Sequence, residues 1–340
     1  MPVAWVVPNT PDAIERLWRQ LDHDHTGAVQ CAYEAGPCGY VLQRRLTRGR
    51  VTCQVIAPGL MPRKPGERIK TDRRDARKLA ELLRAGLLTE VHPPTPAEEA
   101  TRDLARARED AREDRQRARH HIGTFLLRRG LHYAGPHWTP AHRRWLRAIP
   151  WAHAAERQVI ENYLLALEQI EGRLIELDAH LDALAQTGPY RDTVGWLRCF
   201  RGIDTLTAMI LLAELHDVRR FPTPRGLMAY LGLVPCEASS GPRTRRGPIT
   251  KAGNRLVRRV LIEVAWHYRH RAGVGRVLQQ RRVGQPGRII AIADQAQQRL
   301  CRRFRRLTAR QCPSPKAVVA VARELTGFLW AALQPMAPAA

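Results

Sequence analysis

The 340-residue chain predicts an α/β layer at its front and a mostly α remainder. Three patterns carry that expectation. Over residues 1–92, short alternating stretches trade places with amphipathic ones, the order that builds a sheet covered by helices. Over residues 93–188, charged and apolar residues fall at helical spacing for most of the length. After the break at Gly188-Pro189, residues 189–340 read as mostly helical. These shifts set the expected domains at 1–92, 93–188 and 189–340.

The elements follow in order. Thr10 caps a helix from Pro11 to Leu21. Val29, Cys31 and Tyr33 alternate with Ala28, Gln30 and Ala32 in a strand that ends at Glu34. Pro37 to Leu46 reads as a helix and Val51 to Ala57 as a second strand. Asp22 and Asp24 are expected in a polar loop. Asp72 to Ala85 is helical, with Leu79, Leu82 and Leu83 on its apolar side. Thr95 to about Arg129 is a long charged helix whose apolar stripe is mostly alanine, and Gly130 marks its end. In a second long helix, Ile160, Leu167, Leu174 and Leu181 share one heptad position, while Tyr163, Ile170, Leu177 and Leu184 share the other. Four unbroken heptads predict a coiled coil. Either an intramolecular hairpin or a dimer contact satisfies that pattern, since thin alanine packing leaves leucine surface for a second subunit.

Charge narrows the partners. Lys+Arg number 56 against 32 Asp+Glu, a formal charge of +24 and a pI near 11.0, which argues against a small-molecule metabolic enzyme and for nucleic acid. Residues 240–310 hold nineteen cations (18 Arg plus Lys251) against Glu263 and Asp294, a net of 19 − 2 = +17. So lopsided a run favours phosphate contact over a merely solvated helix face. The seven cysteines (31, 38, 53, 199, 236, 301, 312) show no zinc spacing and are expected as buried thiols in a reducing cytoplasm. No apolar run reaches membrane-spanning length and no signal peptide opens the chain, so no membrane partner is expected.

Three constellations can carry chemistry. In Lys70-Thr71-Asp72-Arg73-Arg74-Asp75-Ala76, the two carboxylates share one helix face. They serve either the helix N-terminus, through a Thr71 or Asp72 cap and the dipole, or a hard cation such as Mg2+ that keeps room for phosphate oxygens. Glu34, at the C-terminal end of a strand, stands where α/β folds place functional side chains and is able to join them; the other reading is an exposed strand-end acid. The second constellation runs Gly232-Leu233-Val234-Pro235-Cys236-Glu237-Ala238-Ser239-Ser240-Gly241, with Arg243, Arg245, Arg246, Thr250, Lys251, Gly253, Asn254, Arg255, Arg258 and Arg259 behind it. A serine in a basic loop is either a nucleophile stabilised by arginine or part of an ordinary Ser-Gly turn. The third, Arg201-Gly202-Ile203-Asp204-Thr205, looks like the phosphate-binding hairpin of a helix-hairpin-helix module, except that Asp204 stands at the usual second glycine, which favours a structural role.

Taken in order, Tyr33-Glu34-Ala35-Gly36-Pro37, the Lys70–Ala76 run, Gly202-Ile203, Gly232-Leu233-Val234-Pro235 with Ser239-Ser240-Gly241, and Thr250-Lys251-Ala252-Gly253-Asn254 resemble the DEDD transposases of the IS one-ten family, RNA-guided (bridge-RNA) recombinases of bacterial insertion sequences. The resemblance implies a RuvC-like, ribonuclease-H-type α/β domain whose four acids hold Mg2+, a dimerising coiled coil, and a helical transposase domain whose serine becomes joined to DNA. Glu34, Asp72 and Asp75 match the second, third and fourth acids, and Ser240 the nucleophile, with Ser239 as fallback. Donor and target DNA, a guide RNA and a homo-oligomer follow as partners, and the bacterial cytoplasm, at the nucleoid, as the location.

The front departs from the family. Met1 to Val7 contains no acid, Asp12 lies in a helix, and Asp22 and Asp24 lie outside a strand, so the expectation is an incomplete RuvC-like domain without its first strand pair and first metal ligand. Three acids suffice to hold a metal weakly. Besides the enzyme, two readings stand: a truncated remnant that binds nucleic acid without chemistry, and a RuvC-like junction resolvase that works through carboxylates alone.

Overall fold

The computed structural model describes residues 5–24, 27–47, 51–62, 71–238, 243 and 245–335. The chain divides into two compact units, Met1–Thr95 and Pro96–Ala340.

The first unit contains α1 (Pro11–Asp24), β1 (Val29–Glu34), α2 (Val41–Leu46), β2 (Val51–Ile56) and α3 (Asp72–Arg84). The strands run parallel, with Val29 opposite Val51 and Glu34 opposite Ile56; α2 lies in the crossover that a parallel pair requires. Val51, Cys53, Val55 and Ile56 are buried. On the other edge of β2, Val91 N donates to Val55 O at 2.7 Å and Ala57 N to Thr89 O at 3.1 Å. Thus β2 is the inner strand, and among the described residues β1 has no strand on its far side.

Two expectations for this unit change. Asp22 and Asp24 occupy the last turn of α1 rather than a loop, because polar residues suit an exposed final turn as well as a loop. The helix expected from Pro37 begins only at Val41: Tyr33 donates its hydroxyl to Gly39 O at 2.8 Å, and Gly39, at φ +58°, makes the turn first.

The second unit opens with α4 (Pro96–Leu127), α5 (Pro140–Ala148) and α6 (Ala154–Ala185). Ion pairs Arg108–Asp178 (2.8 Å), Arg119–Glu171 (3.1 Å) and Arg129–Glu156 (2.8 Å) advance along α4 while retreating along α6, so these helices are antiparallel. Ile160, Leu167, Leu174 and Leu181 are buried, and Tyr163, Ile170, Leu177 and Leu184 are half-buried. The heptad residues therefore pack inside one chain, as the hairpin alternative required. Gly130, at φ +66°, lies just beyond α4 where the sequence put the stop. The short α5 is unforeseen; Thr139 caps it by accepting from His142 N at 3.3 Å.

Then come α7 (Arg191–Arg198), α8 (Thr205–Leu215), α9 (Pro224–Tyr230), β3 (Pro235–Glu237), β4 (Arg246–Ile249), α10 (Arg255–Ala265), α11 (Arg276–Arg282), α12 (Gly287–Ala309) and α13 (Ser314–Ala332). Every residue of α8 from Ala208 to Leu215 is buried, as befits a helix apolar on all sides, and it lies in the main core with residues of α7, α10, α12 and α13. Asp204 caps it, its carboxylate accepting from Thr207 N at 2.8 Å. Residues 189–340 are mostly helical as expected, and the short antiparallel pair of β3 and β4 is an addition the sequence did not foresee: strands this short, each with a proline, have no readable period. The cysteines are also corrected, since Cys53, Cys199 and Cys301 are buried while Cys38 and Cys236 are exposed. Among the described residues no helix is long and apolar enough to cross a membrane.

Candidate active site

The three matched acids belong to the first unit. Glu34 ends β1 half-buried, and the strand end is held on both sides: Ala35 N donates to Ile56 O at 2.8 Å, while the neighbouring Tyr33 hydroxyl holds the turn. Burial pushes the Tyr33 phenol up to about 12, so it remains a proton donor at neutral pH. Asp72 and Asp75 lie in the first turn of α3, which packs on β1. Thr71 takes the cap position, its hydroxyl accepting from Arg74 N at 3.4 Å. Asp72 is thereby released from capping, and both acids stand where the helix dipole favours negative charge. Lys70 lies outside the described residues. Among the described residues, no group of three or more His, Cys, Asp or Glu side chains is gathered closely enough to hold a metal.

The serine constellation is built in the second unit by close backbone crossings. Gly232, at φ +62°, leaves only 2.4 Å between an added Cβ and the N and O of Ala252; at Gly253, φ +66°, a Cβ would lie 1.8 Å from Tyr230 O. Only glycine permits both approaches. Lys251 N then donates to Gly232 O (3.1 Å) and Thr250 N to Val234 O (2.9 Å), while Arg258 Nη1 donates to Leu231 O (2.9 Å) and Ala252 O (2.7 Å). The Gly232–Pro235 and Thr250–Asn254 motifs are two sides of one platform. From it β3 and β4 project, and Ala238 N donates to Arg245 O at 2.9 Å to close the loop between them. Ser239, Ser240 and Gly241 fall within that loop and lie outside the described residues.

A buried acid anchors the platform from beneath. Glu214, 4% exposed, is the lone charge of α8. It accepts from Arg106 Nε at 2.7 Å and Nη2 at 3.1 Å, and from Asn254 Nδ2 at 2.5 Å. Asn254 also caps α10, accepting from Val257 N at 3.0 Å. Sequence reasoning missed Glu214 and Arg106, although a single acid inside an apolar helix is a readable sign of a buried partner.

The cations expected to bind nucleic acid divide into two sets. Arg243, Arg245, Arg246, Lys251 and Arg255 are exposed around the hairpin, with Arg246 Nε 3.5 Å from Glu237. Arg258 serves the platform carbonyls, and Arg259 pairs with Glu109 (2.7 Å) and Glu263 (2.6 Å). Beside the hairpin is a cleft of about 780 Å³ with an apolar floor that includes Met228, Leu233 and Ile249; Arg225, Lys316 and Arg323 are among its basic residues. Exposed cations around this hairpin would meet a polyanion without the cost of burying charge.

The chain is similar to known proteins. Residues 5–129 match a family model described as a transposase, of DEDD type, and residues 196–279 match the model described as "Transposase IS116/IS110/IS902 family". The chain is 42% identical over 320 residues to "Putative transposase y4qE" of Sinorhizobium fredii, covering 94% of this chain and 77% of that protein. It is 36% identical over 286 residues to "Transposase for insertion sequence element IS1533" of Leptospira borgpetersenii, covering 82% of each. A third relative, "Transposase for insertion sequence element IS1328" of Yersinia enterocolitica, is 29% identical over 211 residues.

Proposed function

Because the chain belongs to the IS110 family of DEDD insertion-sequence transposases, we propose that it cuts and rejoins DNA through a phosphoserine formed at Ser240. The observation that carries this reading is the platform: a loop holding Ser239-Ser240-Gly241 is closed by Ala238 and Arg245 on a hairpin anchored by glycine crossings, with exposed cations on its flanks.

The hydroxyl of Ser240 gives its proton to water as Oγ attacks phosphorus. One backbone P–O ester bond breaks as the Oγ–P bond forms, and the leaving deoxyribose oxygen takes a proton. Attack on the phosphoserine by a hydroxyl of another strand reverses these steps, so rejoining requires no outside energy source. Arg243, Arg245 and Arg246 stabilise the phosphate charge as it develops. Phosphate contacts of this kind set register on DNA without reading its sequence, so a guide RNA supplies the target choice.

Glu34, Asp72 and Asp75 offer the oxygen donors that Mg2+ takes. The three are not gathered into one site, but the ion is commonly held by one or two carboxylates plus substrate phosphates, and Asp72 and Asp75 in one helix turn would supply those carboxylates. When bound, the ion would polarise the phosphodiester. Leu165 and Ile175, 52% and 71% exposed on α6, offer apolar surface for a second subunit, which supports a homo-oligomer; its place at the bacterial nucleoid follows from the DNA partner.

The test is incubation of the full chain with guide RNA, insertion-end DNA and Mg2+, followed by a denaturing gel. A protein–DNA adduct is expected with the unaltered chain and with Ser239→Ala, and none with Ser240→Ala. An adduct that survives Ser240→Ala overturns the serine assignment.

A further inference from the structure

We infer that the loop between α4 and α5 and the start of α5 form a pocket for one unpaired nucleobase. A cavity of about 220 Å³ is lined by Gly123 of α4 and by Tyr133, His137, Trp138, His142 and Trp145. His142 is at the centre of the rings, its centroid 4.8 Å from Tyr133 and from His137, 5.2 Å from Trp138 and 5.8 Å from Trp145.

Of the polar side chains that line this pocket, His132, Tyr133, His137 and His142, the buried one is His142. It is 1% exposed, and its Nδ1 accepts from the backbone N–H of Trp138 at 2.9 Å. A backbone N–H can only donate, so in the neutral ring the proton sits on Nε2. Burial lowers the pKa of His142 and keeps it neutral at pH 7. Among the described residues Nε2 has no hydrogen-bond partner, and an N–H left unmade in the interior is costly. The site is also held in place, for Trp138 adopts φ +67°, a conformation few large side chains take, and the Arg119 guanidinium lies 5.0 Å from its ring.

Packing of the hairpin end accounts for a filled aromatic cluster, but not for an open cavity beside an unpartnered donor. A planar ring with an acceptor edge answers both: its faces stack on the aromatic walls, and its edge accepts from Nε2–H once a small shift of the rings uncovers that atom, which is buried here. The cavity is below the usual size of pockets for whole small molecules, so a single base enters while sugar and phosphate stay outside. Bases present such faces and edges when they leave the helical stack. That the ring is a nucleobase rests on the transposase reading.

The test uses the full chain and hairpin oligonucleotides carrying one bulged 2-aminopurine, compared with an abasic residue at that position and with a fully paired hairpin, in DNA and RNA arms. The bulged hairpin is expected to bind roughly tenfold more tightly than its abasic counterpart, with quenched 2-aminopurine fluorescence. The arm showing this identifies the nucleic acid. Gly123→Leu adds a side chain where a Cβ meets nothing within 4 Å, so it fills the pocket without a clash and is expected to abolish the preference. His142→Phe keeps a ring but removes both the Nε2 donor and the Nδ1 acceptor of Trp138 N–H; quenching should persist with severalfold weaker preference. Equal binding of bulged and abasic hairpins in both arms, or a preference unchanged in Gly123→Leu, overturns the pocket. If paired hairpins still bind, only the pocket falls; if no hairpin binds, the nucleic-acid reading falls with it.

Discussion

The two units hold their candidate site residues on scaffolds of different depth. In Pro96–Ala340, the platform under the loop between β3 and β4 rests on α8, buried along most of its length, and on the Arg106–Glu214 ion pair between α4 and α8, to whose carboxylate Asn254 at the start of α10 also donates. In Met1–Thr95, the buried apolar residues among those described are Ala13, Val51, Cys53, Val55 and Ile56, and α3, which bears Asp72 and Asp75, has no buried residue. Local stability follows buried apolar contacts. The serine side is thus preorganised by packing, while the acids occupy a thin layer that opens more readily.

The sharpest way to break this comparison is to add the same methyl group to one glycine in each unit. Gly253→Ala would place Cβ 1.8 Å from Tyr230 O at φ +66°, whereas Gly86→Ala, at φ +65°, meets nothing within 4 Å. Denaturant melts followed by circular dichroism should show a loss of roughly 3 kcal/mol or more for Gly253→Ala and about 1 kcal/mol for Gly86→Ala. Equal losses would mean that the platform yields as easily as an open turn.

A smaller effect should separate anchoring from contact with DNA. Glu214→Gln leaves Arg106 without its bidentate partner, and because Arg106 is 51% exposed the cost is roughly 2 kcal/mol rather than that of a fully buried pair. Adduct formation should fall along with stability although Glu214 is buried away from solvent; a stability loss with unchanged adduct yield would detach this anchor from the serine loop.

The smallest expected effect is that of Thr71→Ala, which removes the cap of α3 for about 1 kcal/mol. Hydrogen exchange should quicken in the first turn of α3 and leave α8 and α10 unchanged. Quickened exchange in α8 and α10 as well would show that the two units are energetically coupled.

Much of this was legible in residue order because the signals were local. Thr10 and Thr71 stand at the starts of α1 and α3, the Leu167 heptad row is buried, and Gly130 follows α4. The site was legible as a set of motifs, but the functions of Arg258 and Arg259 were not: both read as phosphate contacts, and both are engaged with the platform or with Glu109 and Glu263. An arginine in a basic run looks the same whether it meets solvent, a carbonyl or an acid far along the chain.

By itself the sequence determined the family through ordered motifs, the partner class through a charge of +24, and the long helices through their period. Charge and period survive any arrangement of the chain, so folding was not needed to read them. Tertiary structure alone decided that the heptad row closes on α4 within one chain, that Gly232 and Gly253 join two motifs into one platform, and that Glu214 holds it. Each of those depends on residues brought together from distant positions, where no local pattern records which backbone will pass within reach.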